Sequence, residues 1–373
     1  MGISESADRR ETVAVRRREV SFPSGQDECA AWLYTAPDVN GPRPMVIMGH
    51  GLGAVREMRL DAYAERFAEA GWSVLVFDYR HLGASGGAPR QLLDIGRQRA
   101  DWHAAVAFVR TLPEVDVDRV ALWGSSFGGG HVLQVASEDT RIAAVVAQCP
   151  FTDGPASLWS RIRTNPLSAV ALTVAGILDT VGSWFGAKPI LVPMTGTSWM
   201  PAFVASPDAL AGASALLPAG TRLSRRTSAV LKRLPSVRAQ VSKHIELTEI
   251  DDDGASASGV GRDSVWGVLR GPDGEFDAAN ALAARLVLRL PLDRPGRALA
   301  RFSTPTLLCV CDNDAAAPAK TTERCARGLA HVHVQNYPCD HFDIYVGEHF
   351  DRAVRDQLSF LARQFDYTAH DTQ

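Results

Sequence analysis

The chain has 373 residues, 46% of them hydrophobic and 22% charged, with a formal net charge of −3. That length can bury a sizeable core, as one elaborated domain or two ordinary ones. The near-neutral balance excludes a broad nucleic-acid-binding surface. Residues 1–18 are polar and arginine-rich, with no apolar segment of secretory type, so they read as a leader and the expected setting is cytoplasmic.

Val20 to Phe22 and Ala30 to Tyr34 flank a Pro-Ser-Gly-Gln turn and predict an opening strand pair. Met45 to Met48 is short and wholly apolar, as in a strand covered on both faces, and it runs into His50-Gly51-Leu52-Gly53. Arg56 to Ala70 has helical periodicity and stops at Gly71. Val74 to Phe77 is the next strand, followed by a glycine-rich loop, His81 to Pro89, and a long helix over Gln91 to Arg110. Val120 to Trp123 is again an apolar strand. It breaks at Gly124-Ser125-Ser126-Phe127-Gly128, beyond which small residues open a helix.

Ile142 to Ala147 is a further strand. Thr306 to Val310, Lys320 to Leu329, His331 to Tyr337 and Asp351 to Phe365 then resume the alternation as strand, helix, strand and closing helix. The expected fold class is α/β, a doubly wound, mostly parallel sheet, formed by 19–150 and 302–373. Functional groups in such sheets gather beyond the carboxyl ends of the strands.

Residues 151–301 interrupt this pattern at a length no connecting loop needs. Leu167 to Leu178 is apolar apart from Ser168 and Thr173, and Trp159, Trp184, Phe185, Trp199, Phe203 and Trp266 are scattered nearby. The segment reads as a helical lid over an apolar pocket. Its apolar run falls short of a bilayer span, so no stable membrane span is expected; a surface anchor is the competing reading. Asp251 to Ser256 reads as a solvated acidic loop, and Asp277 to Leu290 as one more helix. The lid can also supply a homodimer interface, which periodicity does not decide.

The six cysteines are expected to be reduced and mostly buried. Cys309-x-Cys311 and Cys339-x-His341 fit strand alternation better than the wider spacings of structural zinc, so neither a metal nor a cofactor is expected.

The Gly-x-Ser-x-Gly break reads as a nucleophile elbow with Ser126 at its tip. Gly124 and Gly128 let strand and helix approach closely enough to hold that serine in a sparsely populated conformation. Only Ser126, not Ser125, has glycines at both flanking positions. A serine hydroxyl needs an imidazole to take its proton, and the imidazole needs a carboxylate to fix its tautomer. His341, after the final predicted strand, is the candidate base. Asp314, after the penultimate strand, is the candidate acid, with Asp312 as the alternative. Asp78 and Arg80 are read as structural, and His103 and His131 as packing or surface residues within helices.

Together, the elbow, the His50–Gly53 turn, the Asp314 loop and His341 resemble the α/β-hydrolase superfamily over nearly the whole chain outside the insertion. The order Ser126, Asp314, His341 is the one used there. Phe77-Asp78-Tyr79-Arg80 and Gly83-Ala84-Ser85-Gly86-Gly87 are similar to bacterial serine hydrolases described as dipeptidyl-peptidase-like or acetyl-esterase-like. The resemblance implies an oxyanion hole from the backbone N–H groups of Phe127 and Leu52, with His50, Gly51 and Gly53 shaping the turn. The expected activity is hydrolysis of a small hydrophobic ester or lactone through an acyl-enzyme. Alternatives are carbon–carbon bond hydrolysis, thioester hydrolysis or acyl transfer in natural-product metabolism, aminopeptidase action, and a non-catalytic ligand receptor.

Overall fold

The computed structural model describes residues 15–35, 41–224 and 277–365, with short pieces at 232, 238–239, 249–250 and 268–270. An eight-stranded sheet forms its centre. The strands are β1 (Arg16–Ser24), β2 (Asp27–Thr35), β3 (Arg43–Gly49), β4 (Ser73–Phe77), β5 (Val115–Ser125) and β6 (Ala144–Gln148), joined after the insertion by two more. These are β15 (Thr306–Cys311) and β16 (Val332–Tyr337), and the order across the sheet is β1-β2-β4-β3-β5-β6-β15-β16. The β1–β2 and β2–β4 pairs are antiparallel; every other pair is parallel. This is the expected doubly wound, mostly parallel sheet.

Alternation along the central strands divides the core between the two faces of the sheet. Val46, Met48, Val74, Val76, Ala121 and Trp123 face one side, where helix α1 (Leu60–Glu69) and the closing helix (Gly347–Gln364) cover them. Met45, Ile47, Leu75, Phe77, Val120 and Leu122 face the other, under α2 (Ile95–Val109) and α3 (Phe127–Ala136). Each fully buried aliphatic side chain contributes roughly 1.5–3 kcal/mol. Covering both faces is what makes β3 and β4 read as unbroken apolar runs.

Some boundaries move for identifiable reasons. β1 already begins at Arg16, inside the expected leader, and residues 1–14 lie outside the described ones. The α2 helix starts at Ile95 rather than Gln91. Asp94 caps it by accepting from the Arg97 amide at 2.9 Å, while the Gln91 side chain donates to the carbonyls of Ala279 and Ala281.

Between β6 and β15 the chain forms helices α4 (Gly154–Thr164), α5 (Pro166–Trp184) and α6 (Ala209–Ala215). It also forms short strands, β7 (Leu191–Pro193), β8 (Thr195–Gly196), β9 (Val204–Ala205), β10 (Arg222–Ser224), β11 (Glu249–Ile250), β12 (Val268–Arg270), β13 (Asp277–Ala279) and β14 (Ala281–Ala283). Among the described residues the segment thus combines helices with short strands. The helix expected over Asp277 to Leu290 is replaced by β13, β14 and a 3-10 turn over Ala284–Leu288. Its backbone groups are taken by distant partners: β14 pairs with β7, the Ala283 amide donates to Gln91, and the Arg285 amide donates to Asp179. Those bonds leave nothing for an i to i−4 ladder. The Asp251–Ser256 loop and Trp266 lie outside the described residues.

The ends of the insertion meet. The Gly154 amide donates to the Asp293 carbonyl at 2.8 Å, the Gly296 amide to Thr152 at 2.9 Å, and Arg294 pairs with Asp153 at 2.8 Å.

Helix α5 extends the apolar run read from the sequence. It continues past Leu178 to Trp184, 19 residues or ~28 Å at 1.5 Å per residue. Among the described residues it is the one helix long and apolar enough to cross a membrane by length and composition. One face packs on the 3-10 turn through Leu172 and Gly176. There the buried Asp179 carboxylate accepts from the Ile190 amide and, at 2.7 Å, from Arg285 Nε. The other face exposes Leu167, Val170, Val174, Ile177, Leu178 and Val181 as a continuous stripe. Trp159, Trp184 and Trp199 are 60%, 74% and 61% exposed. They face outward, not into a pocket.

Candidate active site

The turn from β5 into α3 puts Ser126 in the left-handed region, at φ +55° and ψ −116°. Close packing enforces this. A Cβ on Gly124 would strike the Gly128 carbonyl, and one on Gly128 would come within 2.8 Å of the Gly49 carbonyl oxygen. The strained residue is tied down on both sides, its amide donating to Gln148 at 2.8 Å and its carbonyl accepting from Phe151 at 2.9 Å. The neighbouring serines part company here. Ser125 is fully buried and hydrogen-bonds the Tyr345 hydroxyl, whereas Ser126 borders the cavity.

His341 follows β16 and is buried. Its Nε2 lies 3.0 Å from Ser126 Oγ and its Nδ1 2.6 Å from Asp314 Oδ2. The other oxygen, Asp314 Oδ1, accepts from the amides of Ala316 and Ala317 at 2.8 and 2.6 Å, which fixes the carboxylate. Asp312 is turned away and accepts from Asn336 Nδ2 at 2.8 Å. Burial pulls the His341 imidazole down, but the Asp314 carboxylate and the Cys149 sulfur hold its pKa well above the ordinary histidine value. An imidazole so placed can take a proton from Ser126 and, once charged, is stabilised by Asp314.

The His50–Gly53 turn closes over the serine. Gly51 sits so near that a Cβ there would lie 2.7 Å from Ser126 Cβ. Gly53 has φ +64°, which an L side chain resists. The His50 ring is buried, and burial lowers its pKa to about 4. It is therefore neutral, and its Nε2–H donates to the Met58 carbonyl at 2.7 Å. Leu52 lines the cavity. Phe127 is the first residue of α3, so its N–H has no carbonyl partner within the helix.

The cavity at Ser126 measures about 40 Å³. The insertion contributes Met194, Thr195, Val204, Ala213 and Leu216 to its walls. No Asp or Glu lines it among the described residues.

Asp78 accepts from the amides of Arg56 and Ala84, and Arg80 pairs with the buried Asp101, so both brace the neighbouring loops. His131 is buried against Phe127, and His103 pairs with Glu138 on the surface. The residue that periodicity misses is Cys149. It follows β6 with φ +36°, and its sulfur lies 3.5 Å from Ser125 Oγ. Burial raises this thiol, but the Cys311 thiol and the His341 ring pull it below the ordinary cysteine value. Its place beyond a strand's carboxyl end was the one available signal.

Residues 40–195 match the family model described as serine aminopeptidase, S33. The chain is 40% identical over 345 residues to the quorum-quenching protein AidA of Acinetobacter baumannii, covering 92% of this chain and 94% of that one. It is 38% identical over 163 residues to the thiohydrolase aneE of Aspergillus aculeatus, covering 42% of this chain and 48% of the other. Among solved structures, the α/β hydrolase GrgF from Penicillium superposes with a TM-score of 0.64 at 20% identity, covering 94% and 99% of the two chains. The elbow, the sheet order and this continuous match lead to one conclusion: the chain belongs to the α/β-hydrolase superfamily, as an ester-cleaving hydrolase.

Proposed function

We propose that the protein hydrolyses small hydrophobic carboxylic esters or lactones through an acyl-enzyme on Ser126. The observation that carries this is the continuous hydrogen-bonded chain from Ser126 Oγ through His341 to Asp314, opening on an apolar cavity. Ser126 Oγ attacks the carbonyl carbon while His341 Nε2 takes its proton. The N–H groups of Phe127 and Leu52 receive the oxyanion, each such donor contributing a few kcal/mol. The alcohol leaves with the proton from His341. A water activated by the same ring then releases the acid and frees Ser126. Residues 151–301 act as a lid whose Met194, Val204 and Leu216 shape the acyl site.

Among the described residues the cavity walls are mostly apolar, which suits a hydrophobic acyl group better than the cationic amine an aminopeptidase must hold. A relative that matches 92% of the chain in sequence is named for quorum quenching. The thiohydrolase and a polyketide transferase match 42% and 52% of it. Ester or lactone hydrolysis is therefore placed ahead of thioester cleavage and acyl transfer, which the same acyl-enzyme allows. A panel of p-nitrophenyl esters, lactones and thioesters tests this, run with wild type and Ser126→Ala. Turnover of esters or lactones that vanishes in the variant supports the proposal. No turnover, with no fluorophosphonate labelling of Ser126, overturns it.

A further inference from the structure

The strand ends that carry Asp314 and His341 also carry three thiols. Cys149 follows β6, Cys311 ends β15 three residues before Asp314, and Cys339 lies two residues before His341. Because β6, β15 and β16 are neighbours in the sheet, the thiols form a row across three adjacent strand ends. At the end of this row the Cys149 sulfur, an Asp314 oxygen and a His341 nitrogen all lie within 4.8 Å of one another, and all three residues are buried. Among the described residues this is the one such group.

Thiolate, imidazole and carboxylate are the ligand types of a borderline-soft divalent ion. Zinc at bond lengths of roughly 2.0–2.3 Å holds its ligand atoms roughly 3.5 Å apart, so side-chain adjustments of about 1 Å close the site.

We propose that Cys149, Asp314 and His341 capture a divalent cation of the zinc class, and that capture disarms hydrolysis. Binding forms the metal–sulfur bond and releases the Cys149 proton to solvent; no oxidant or reductant takes part. Whichever ring nitrogen is taken, the base is lost. Coordination at Nε2 removes the lone pair facing Ser126. Coordination at Nδ1 places the remaining ring proton on Nε2, where it cannot accept another. The inhibitory half rests on the proposed role of His341; the binding half does not.

The test uses Co2+ as a spectroscopic probe and Zn2+ as the inhibitor, on the full-length chain. Wild type and Ser126→Ala are expected to take up one Co2+ per chain with a sulfur-to-cobalt charge-transfer band that Zn2+ displaces. Cys149→Ala and Cys149→Ser, with folding checked by circular dichroism, should lose that band. Cys325→Ser, altering a half-buried thiol outside the row, should keep it. His341→Gln should weaken Co2+ binding at least about tenfold, the lower bound for losing even an outer-sphere partner. Zn2+ should suppress ester hydrolysis by wild type, chelator should restore it, and Cys149→Ala, normalised to its own metal-free rate, should resist. Absence of the band in wild type, or its survival in both Cys149 variants, overturns the site. A band accompanied by a Zn2+-indifferent rate overturns the inhibition. If no ester is turned over at all, the spectral titration still decides binding.

Discussion

Gly124 and Gly128 meet across the strand-to-helix turn so closely that a methyl group on Gly124 would strike the Gly128 carbonyl. The contact is backbone against backbone, so no side-chain rotation can relieve it. Gly124→Ala is expected to cost about 1–3 kcal/mol or more and to lower activity beyond what the residual folded fraction explains. Thermal melts with parallel ester assays check this; a melt and rate equal to wild type would show that the elbow tolerates wider spacing.

Removing the proposed nucleophile or base should have similar effects. Ser126→Ala and His341→Ala are each expected to lower kcat by about 10⁴-fold or more, and the double variant should lose little further, because the two act as a unit. Single-turnover assays with p-nitrophenyl esters measure it. Additive losses would show that they work independently.

The rate should also report the Asp314–His341 pair. As the proposed base, His341 acts only when neutral, and its pKa is held above the ordinary value of ~6.5. The acidic limb of kcat/KM therefore lies above that pH in wild type, with activity rising as His341 loses its proton. In Asp314→Asn the stabilising charge is gone while burial remains. The limb should move to lower pH, even as the maximum falls about 10⁴-fold. A limb that stays in place would assign it to another group.

Burial of neutral His50 should draw stability down on the acid side, against the opposite contributions of His341 and Glu57, whose folded pKa values are raised. His50 titrates at about 4 in the folded chain and at ~6.5 unfolded. The unfolded state binds more protons between those values, so stability is fully present above about pH 6.5 and is lost as the pH falls toward 4, by about 3 kcal/mol. Buried His131, also lowered, acts in the same direction. Urea midpoints of wild type and His50→Gln, compared from about pH 8 to about pH 4.5, isolate this slope. His50→Gln, whose amide can still donate to Met58, should flatten it. A slope unchanged in that variant would exclude His50.

Asp179 anchors α5 to the 3-10 turn by accepting from two backbone amides and the Arg285 guanidinium. Asp179→Ala breaks a buried pair and is expected to cost about 3–5 kcal/mol, spent locally. Limited proteolysis should speed up around 166–190 while the core melts as before. Unchanged cleavage would mean that the apolar contacts of Leu172 and Gly176 suffice.

Elements built from local units were legible in the sequence. Each strand and the helix after it form one contiguous stretch, so Met45 to Met48 and Val120 to Trp123 announce themselves by composition and by the glycine turns that end them. The candidate triad is legible as an order of residues after strands, but the choice between Asp312 and Asp314 needs the direction of two side chains separated by one residue. What stays hidden depends on sheet order. Nothing in the spacing of Cys149, Cys311 and Cys339 joins them, because the row exists only where β6, β15 and β16 lie side by side. The spacings Cys309-x-Cys311, within β15, and Cys339-x-His341, in the loop after β16, point to the wrong neighbours. The tryptophans of the insertion mislead differently: composition shows that they are apolar, not that Trp159, Trp184 and Trp199 face outward.

The stem formed by Thr152, Asp153 and Gly154 with Asp293, Arg294 and Gly296 brings both ends of the insertion to one spot on the core. Mechanically the insertion is a cassette, joined to the core at its base. Changing the length of a loop whose ends are already held costs free energy only logarithmically. Caps of other sizes can therefore hang from the same stem while the elbow beneath keeps its geometry. On this architecture a new acyl preference can arise by exchange of the cassette, with β5, α3 and the loop bearing His341 left as they are.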